Sequence, residues 1–320
     1  PLGLWIWAER LVTTVLFSAL PQRWTEYEAH LRRAFDAAGL DIDLSTRCDP
    51  SQVDYIIHAP NAGLSDFSAF PRLKAVLSLW AGVEDIVDNP TLKVPLTRMV
   101  DPGLTEGMVE WVTGHVLRHH LRIDDVLARQ DGSWARYIPP LARHRSVGIL
   151  GLGALGLACA EALVALNFQV LGWARREKSL SGVETHFGAD GLTSVLSRSE
   201  ILVLLLPLTE NTENTLNAET IATLPRGAVV LNPGRGGLID DAALLDALNS
   251  GHIAQATLDV FRTEPLPADH PFWSHPQVTV CPHIASETRP ETAADVIADN
   301  IRRHQAGEHL LHLVDRGAGY

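Results

Sequence analysis

Cysteine is scarce: the 320 residues hold three, Cys48, Cys159 and Cys281, widely spaced and odd in number. That excludes a disulfide framework and a Cys-x-x-Cys zinc or redox centre, and it suits a reducing cytoplasm. Positive charge is short as well, since 26 Lys and Arg against 38 Asp and Glu leave a net charge of −12. A nucleic-acid surface needs a basic face and is excluded on that ground. An anionic ligand must instead be met by locally concentrated Arg or Lys. Long apolar runs are missing too. Leu2 to Leu20 is mostly apolar, but Glu9 and Arg10 split it. A membrane span needs about 20 uninterrupted apolar residues, and a charge at its centre costs roughly 3 kcal/mol. A signal peptide carries its positive charge before the apolar run, not inside it. No membrane segment is expected; Val12–Phe17 reads as a buried first strand and residues 1–10 as an atypical extension. Two methionines stand against eight tryptophans, which points to rigid packing.

What remains is an ordinary globular composition, 46% hydrophobic and 20% charged, without repeats or low-complexity runs. At roughly 150 residues per domain the length predicts two domains. Strand-like and helix-like segments alternate: a helical run over Glu26–Ala38, strands at Tyr55–His58 and Leu73–Ser78, then a helix over Thr105–His120. Gln130–Arg145, polar and proline-containing, reads as a crossing between domains. A second series begins at Ser146 with strand Val147–Leu150, helix Leu155–Leu166 and strand Val170–Trp173. Ile201–Leu206 is almost continuously apolar, as a parallel strand buried on both faces must be. Strands follow at Ala228–Leu231, Ala256–Val260 and Val278–Cys281, with helices at Asp241–Ser250 and Glu291–Gln305. The alternation predicts two doubly wound parallel α/β sheets.

Gly151-Leu152-Gly153-Ala154-Leu155-Gly156 is a Gly-x-Gly-x-x-Gly turn between a strand and a helix. Gly151 permits the tight turn, Gly153 lets backbone approach a pyrophosphate, and Gly156 lets the helix pack close to the sheet. The helix N-terminus then offers free N–H groups to the anion. A carboxylate for the adenosine ribose is expected about 20 residues on, at the end of the second strand. There the sequence reads Trp173-Ala174-Arg175-Arg176-Glu177-Lys178, with Ala174 at the acidic position and cations after it. His115 and His119 lie four apart on a predicted helix but have no third ligand in pattern, so they read as a polar helix face, and no metal is expected.

Three further segments each place polar groups just past the carboxyl end of a strand: Asn232-Pro233-Gly234-Arg235-Gly236-Gly237, Phe261-Arg262-Thr263-Glu264-Pro265, and Pro282-His283-Ile284-Ala285. Together with the glycine turn they resemble the D-isomer-specific 2-hydroxyacid dehydrogenase family over nearly the whole chain beyond the first ten residues. Trp173–Lys178, Thr288-Arg289-Pro290 and Val314-Asp315-Arg316 resemble the branch that reduces glyoxylate and hydroxypyruvate. The resemblance implies Arg235, Glu264 and His283 as the catalytic set, and the side chains suit the chemistry. Arg235 can grip a carboxylate and polarise a ketone oxygen. His283 as imidazolium can give that oxygen a proton, with Glu264 orienting the ring and favouring its charged form.

By the same resemblance Trp80-Ala81-Gly82 is the loop whose backbone N–H groups bind the substrate carboxylate, although Glu84 stands where the family usually has Asp. Arg289 is a further substrate contact. Leu206, Pro207 and Thr209, with Pro233, Gly234 and Asp259, lie along the cofactor. The resemblance implies two Rossmann-like domains, with an active-site cleft between them. The substrate domain would comprise residues 1–100 and 286–320, and the dinucleotide domain 101–285. It also implies a cytoplasmic homodimer that reduces a small 2-keto acid, preferring NADPH while NADH remains possible. Two alternatives stay open: a dehydrogenase of larger keto acids, and a cofactor-sensing binding protein of the corepressor type.

Overall fold

The computed structural model describes residues 12–319 apart from 133 and 135, so the extension expected at residues 1–10 lies outside the described residues. The chain divides into two compact units, one running to Leu104 and resuming at Thr288, the other covering Thr105–Glu287.

The first unit is built on a five-stranded sheet: β1 (Thr13–Ser18), β2 (Ile42–Ser45), β3 (Tyr55–His58), β4 (Ala75–Ser78) and β5 (Leu96–Thr97), in the order β2-β1-β3-β4-β5. All its ladders are parallel. Every residue of β3 and β4 is buried, as their apolar runs require. On one face lie α1 (Pro21–Ala37) and α8 (Pro290–Gln305), whose Leu31, Phe35, Ile297 and Ile301 pack with Val15, Tyr55 and Ile57. The other face is covered by irregular chain, with Phe67, Val83, Ile86 and Leu92 on Ile56 and Val76. Helix α1 starts well before the expected Glu26, because Pro21 supplies a helical φ at the first position and lacks an N–H that would have no partner there.

The second unit carries a seven-stranded parallel sheet. In chain order its elements are α2 (Pro102–His120, its first turn in the first unit), α3 (Ile123–Ala128), β6 (Ser146–Leu150), α4 (Ala154–Ala165), β7 (Gln169–Ala174), β8 (Val183–Phe187), α5 (Gly188–Leu196), β9 (Ile201–Leu204), α6 (Ala218–Thr223), β10 (Ala228–Asn232), α7 (Asp241–Asn249), β11 (Ile253–Leu258) and β12 (Val278–Val280). The strand order is β8-β7-β6-β9-β10-β11-β12. Helices α2 and α4 pack on one face through Val112, Val116, Ala160 and Leu163; α5, α6 and α7 pack on the other through Val195, Ile221 and Leu244. The chain leaves β6 toward β7 and β8, then returns to β9 on the other side of β6, so the order reverses between β6 and β9. Open α/β sheets bind ligands at the carboxyl ends of strands around such a reversal.

The structure corrects the sequence reading in several places. Elements β2, α3, β8, α5 and α6 were not anticipated, and β11 begins three residues before the expected Ala256. His115 and His119 do not form a solvated helix face. His119 is buried, with Nδ1 bonded to Gln255 Oε1 at 2.8 Å and Nε2 to Thr257 Oγ1 at 2.9 Å, while the His115 ring lies against Trp111, tilted by 52°. Among the described residues no cluster of His, Cys, Asp and Glu is arranged to hold a metal, and no helix is long and apolar enough to cross a membrane.

Candidate active site

Strand β6 runs straight into the glycine turn. Gly151 has φ +105°, and a Cβ there would lie 2.5 Å from the Leu205 carbonyl oxygen, so only glycine fits. A Cβ on Gly156 would sit 1.9 Å from the Gly151 carbonyl oxygen, which leaves helix α4 no other way to pack so close to β6. Gly153, the N-cap of α4, has nothing within 4 Å of its Cβ position. The first-turn N–H groups, at Ala154, Leu155 and Gly156, have no intrahelical acceptors, and the helix dipole makes this end positive. The turn therefore fits a pyrophosphate: open where the anion must approach and closed where helix meets strand. Ala174 ends β7 as a buried residue, and Arg175 and Arg176 follow it exposed. Trp173 donates its indole N–H to the Gly188 carbonyl, and Lys178 reaches back to the Leu152 carbonyl, tying the basic loop to the turn. The loop after β9 carries Leu206, Pro207 and Thr209, folded by Thr212 Oγ1, which donates to the Pro207 carbonyl at 2.7 Å and accepts from Thr209 N at 2.8 Å.

Strands β10, β11 and β12 are neighbours, and their carboxyl ends bring the remaining polar groups together. After β10, the buried Asn232 accepts from Gly234 N at 3.1 Å and donates to the Arg235 carbonyl at 2.9 Å, which shapes the Pro233–Arg235 corner. The sequence reading passed over Asn232 as a site residue; a polar side chain ending an otherwise apolar strand was the available signal. Gly236 passes so close to the next loop that a Cβ would lie 2.0 Å from the Phe261 carbonyl carbon. The Arg235 loop therefore abuts the loop that carries Glu264. Glu264 Oε1 accepts from Phe261 N at 2.9 Å, and Oε2 lies 2.6 Å from His283 Nδ1. An ionised carboxylate can only accept, so Nδ1 carries the proton of that bond and Nε2 is left for another partner. His283 has φ +54°, a left-handed conformation that costs a non-glycine residue about 1–2 kcal/mol. Asp259, at the end of β11, is buried, and burial pushes its carboxyl up although the Ile284 and Ala285 amides bond to it and pull it down.

In the first unit, Trp80 follows the end of β4 and is 36% exposed. Its N–H donates to Ser78 Oγ at 3.0 Å, and its carbonyl accepts from Met99 N at 2.9 Å. The N–H groups of the next residues, Ala81 and Gly82, have no acceptor among the described residues. Arg289, the residue before α8, is exposed, and its stem lies over Gly103.

Residues 113–285 match the NAD-binding domain of the D-isomer specific 2-hydroxyacid dehydrogenases. A glyoxylate/hydroxypyruvate reductase A from Serratia proteamaculans is 41% identical over 257 residues, covering 78% of this chain and 82% of the relative. A D-isomer specific 2-hydroxyacid dehydrogenase from Xanthobacter autotrophicus, solved with NADPH and MES, is 41% identical with a TM-score of 0.90, covering 97% of this chain and 100% of that one. An NADPH-dependent glyoxylate/hydroxypyruvate reductase from Sinorhizobium meliloti, solved with NADP and sulfate, is 37% identical with a TM-score of 0.84, covering 96% of this chain and 99% of that one.

Proposed function

Since the chain belongs to the D-isomer specific 2-hydroxyacid dehydrogenase family, we propose that it reduces a small 2-keto acid, glyoxylate or hydroxypyruvate, to the 2-hydroxy acid with NADPH. The observation that carries this reading is the His283–Glu264 pair at 2.6 Å, set beside the Arg235 loop at the carboxyl ends of three adjacent strands. When bound, the reduced nicotinamide supplies the hydride that reaches the keto carbon. Arg235 grips the substrate carboxylate with its planar fork and polarises the ketone oxygen. His283 Nε2, protonated, gives its proton to that oxygen as the alcohol forms, and Glu264 holds Nδ1–H so that Nε2 faces the reaction. In the second unit, which acts as the cofactor domain, Gly151 to Gly156 receive the pyrophosphate. The segments Leu206–Thr209 and Pro233–Gly234 flank the dinucleotide. In the first unit, the substrate domain, the free N–H groups of Ala81 and Gly82 take the carboxylate, with Trp80 and Arg289 as further substrate contacts.

NADPH is the preferred cofactor because Ala174 removes the carboxylate that would bond a ribose hydroxyl and repel a 2′-phosphate, while Arg175 and Arg176 offer cations. The three free thiols suit a reducing cytoplasm, where we place the enzyme. Its partner is a second copy of itself. Ile123, Val126 and Leu127 of α3, with Trp134, Tyr137, Ile138 and Leu141 after it, gather large exposed apolar side chains into one short stretch. Ile138→Asp is expected to convert a dimer to a monomer in sedimentation velocity; a parent that sediments as a monomer overturns the dimer. The activity itself is tested by steady-state turnover on glyoxylate, hydroxypyruvate and longer 2-keto acids with both nicotinamides. Turnover highest on the two small acids with NADPH is the expected result. Preference for a bulky keto acid, or binding of cofactor without turnover, would overturn it.

A further inference from the structure

Val314-Asp315-Arg316, near the end of the chain, takes no part in the chemistry proposed above, yet its arginine is fully engaged. Arg316 Nε donates to the Val87 carbonyl at 2.8 Å, Nη2 to the Asn89 carbonyl at 2.9 Å and Nη1 to the Leu92 carbonyl. One planar guanidinium thus serves three main-chain acceptors of a segment that has no helix or strand of its own. That segment starts where the Ala81 and Gly82 amides end. The Val83 carbonyl accepts from Ile86 N at 3.0 Å and Val87 N at 2.8 Å, so the turn after Gly82 closes on the first residue that Arg316 holds. The tail also reaches the other side of the loop. Arg98 N donates to the His312 carbonyl at 3.1 Å and Val314 N to the Leu96 carbonyl at 2.9 Å, laying the tail antiparallel beside β5. Two residues past β5, Met99 N donates to the Trp80 carbonyl. Val314 is buried in one cluster with Val83, Ile86, Val87 and Leu92. His312 to Arg316 therefore brace the loop at both ends, Trp80 by way of β5 and Val87 directly. Between them lie Ala81 and Gly82.

We infer that Arg316 is a positioning residue for substrate binding: by holding the segment Val83–Leu92 it keeps the Ala81 and Gly82 amides in a fixed direction, ready to receive a carboxylate. This inference rests on the proposed role of those two amides. Donors fixed in advance bind an anion without having to be ordered by it, so the effect of Arg316 falls on affinity for the substrate. The carboxylate is held alike before and during hydride transfer, which leaves the turnover of bound substrate unaffected. Arg316→Ala gives three carbonyls back to water and frees the segment. Arg316→Lys keeps the charge, but its compact ammonium cannot span what the planar fork spans.

The experiment measures KM and kcat for glyoxylate and amide hydrogen exchange over residues 79–92 in the parent, Arg316→Ala and Arg316→Lys, with melting temperatures as a control on folding. The expected result for Arg316→Ala is a KM raised at least tenfold, a kcat within threefold of the parent and exchange at least tenfold faster over that segment. Arg316→Lys should fall between the two in both KM and exchange. A lower melting temperature with KM within threefold of the parent would assign the arginine to stability alone and overturn the inference. A raised KM with unchanged exchange would overturn it too, as would a fall in kcat at constant KM. Should Arg316→Ala not fold, Arg316→Lys decides: an unchanged KM overturns the inference. Gly82→Pro, which removes one of the two amides, separates this inference from the reading beneath it. An unchanged KM in that variant removes the amides from substrate binding, and the inference with them. A KM raised by Gly82→Pro but not by either Arg316 variant leaves the amides their role and overturns the inference alone.

Discussion

The two units are wound on the same plan and equipped differently. In each, the chain leaves one strand, builds outward on one side and then returns to the other, so that β1 and β6 occupy equivalent places at the reversal of strand order. After β6 come Gly151, Gly153 and Gly156 and a helix that opens without a side-chain cap. After β1 come Ala19, Leu20 and Pro21, with no glycine, and a helix that opens on proline. The reversal marks where a ligand can sit, but only a turn free of side chains lets an anion reach the helix N-terminus. The first unit therefore offers its free N–H groups elsewhere, at Ala81 and Gly82 after β4. One topology yields a side-chain-free glycine turn in one sheet and, at the matching place, an ordinary helix start in the other.

The largest expected effect lies in the second unit. Lysine in place of Arg235 keeps the charge but loses the fork, which should cost roughly 2–3 kcal/mol, or about two orders of magnitude in kcat/KM. Steady-state kinetics on glyoxylate measure it. A variant within a few-fold of the parent would shift the grip on the carboxylate to the Ala81 and Gly82 amides and so reverse the contrast between the units. Next in size is the cofactor ratio. Ala174→Asp combined with Arg175→Ala restores the carboxylate and removes a cation, and one charged hydrogen bond is worth about 1.5–3 kcal/mol. The ratio of Michaelis constants for NADH and NADPH should move at least tenfold toward NADH; an unchanged ratio would leave the basic loop without a role in selection.

The smallest effect is on stability, and each unit holds a source of it. Burial depresses His58 of the first unit to about 4, and burial with the neighbouring Arg118 and His119 depresses His115 of the second to about 4. Both lie below the unfolded value of about 6.5, so the unfolded chain binds more protons in that window. Their contribution is complete above about pH 6.5 and is lost as pH falls toward 4, with roughly 1 kcal/mol gone by pH 5.5 for His58 and less for the more solvent-screened His115. Melting temperatures measured from pH 7 to pH 5.5 should therefore decline, and His58→Phe should decline less steeply than the parent. An identical decline would remove His58 as a source of the acid sensitivity.

The parts of the fold that were legible share a property: their pattern is set by burial within the sequence itself. Ile201–Leu206 had to be a buried parallel strand, of which β9 forms Ile201–Leu204, and the glycine turn sits where its spacing places it. The elements that were missed lack that signature. Strand β8, Val-Glu-Thr-His-Phe, lies at the sheet edge and buries none of its residues, so its polar composition hides it. Helix α5 begins on Gly188 and contains Gly191, two residues that argue against a helix until packing overrides propensity. For the candidate site, the strand ends that carry Arg235, Glu264 and His283 were readable, whereas the partners of a buried side chain were not. Nothing in the order of residues tells that His119 bonds Thr257 or that Asp259 receives two amides, because those bonds join segments far apart in the chain.

The bond from Lys178 to the Leu152 carbonyl links two pieces of chain with opposite tolerance for change. The turn at Gly151 and Gly156 admits no side chain without displacing backbone, whereas Arg175, Arg176 and Glu177 lie exposed on a loop. In the proposed reading, dinucleotide binding divides into a fixed socket and an adjustable collar. Substitutions at the collar can exchange one nicotinamide for the other while the socket, and the sheet it closes, stay as they are. Cofactor choice is then a trait that can drift or be engineered in this protein without risking its fold.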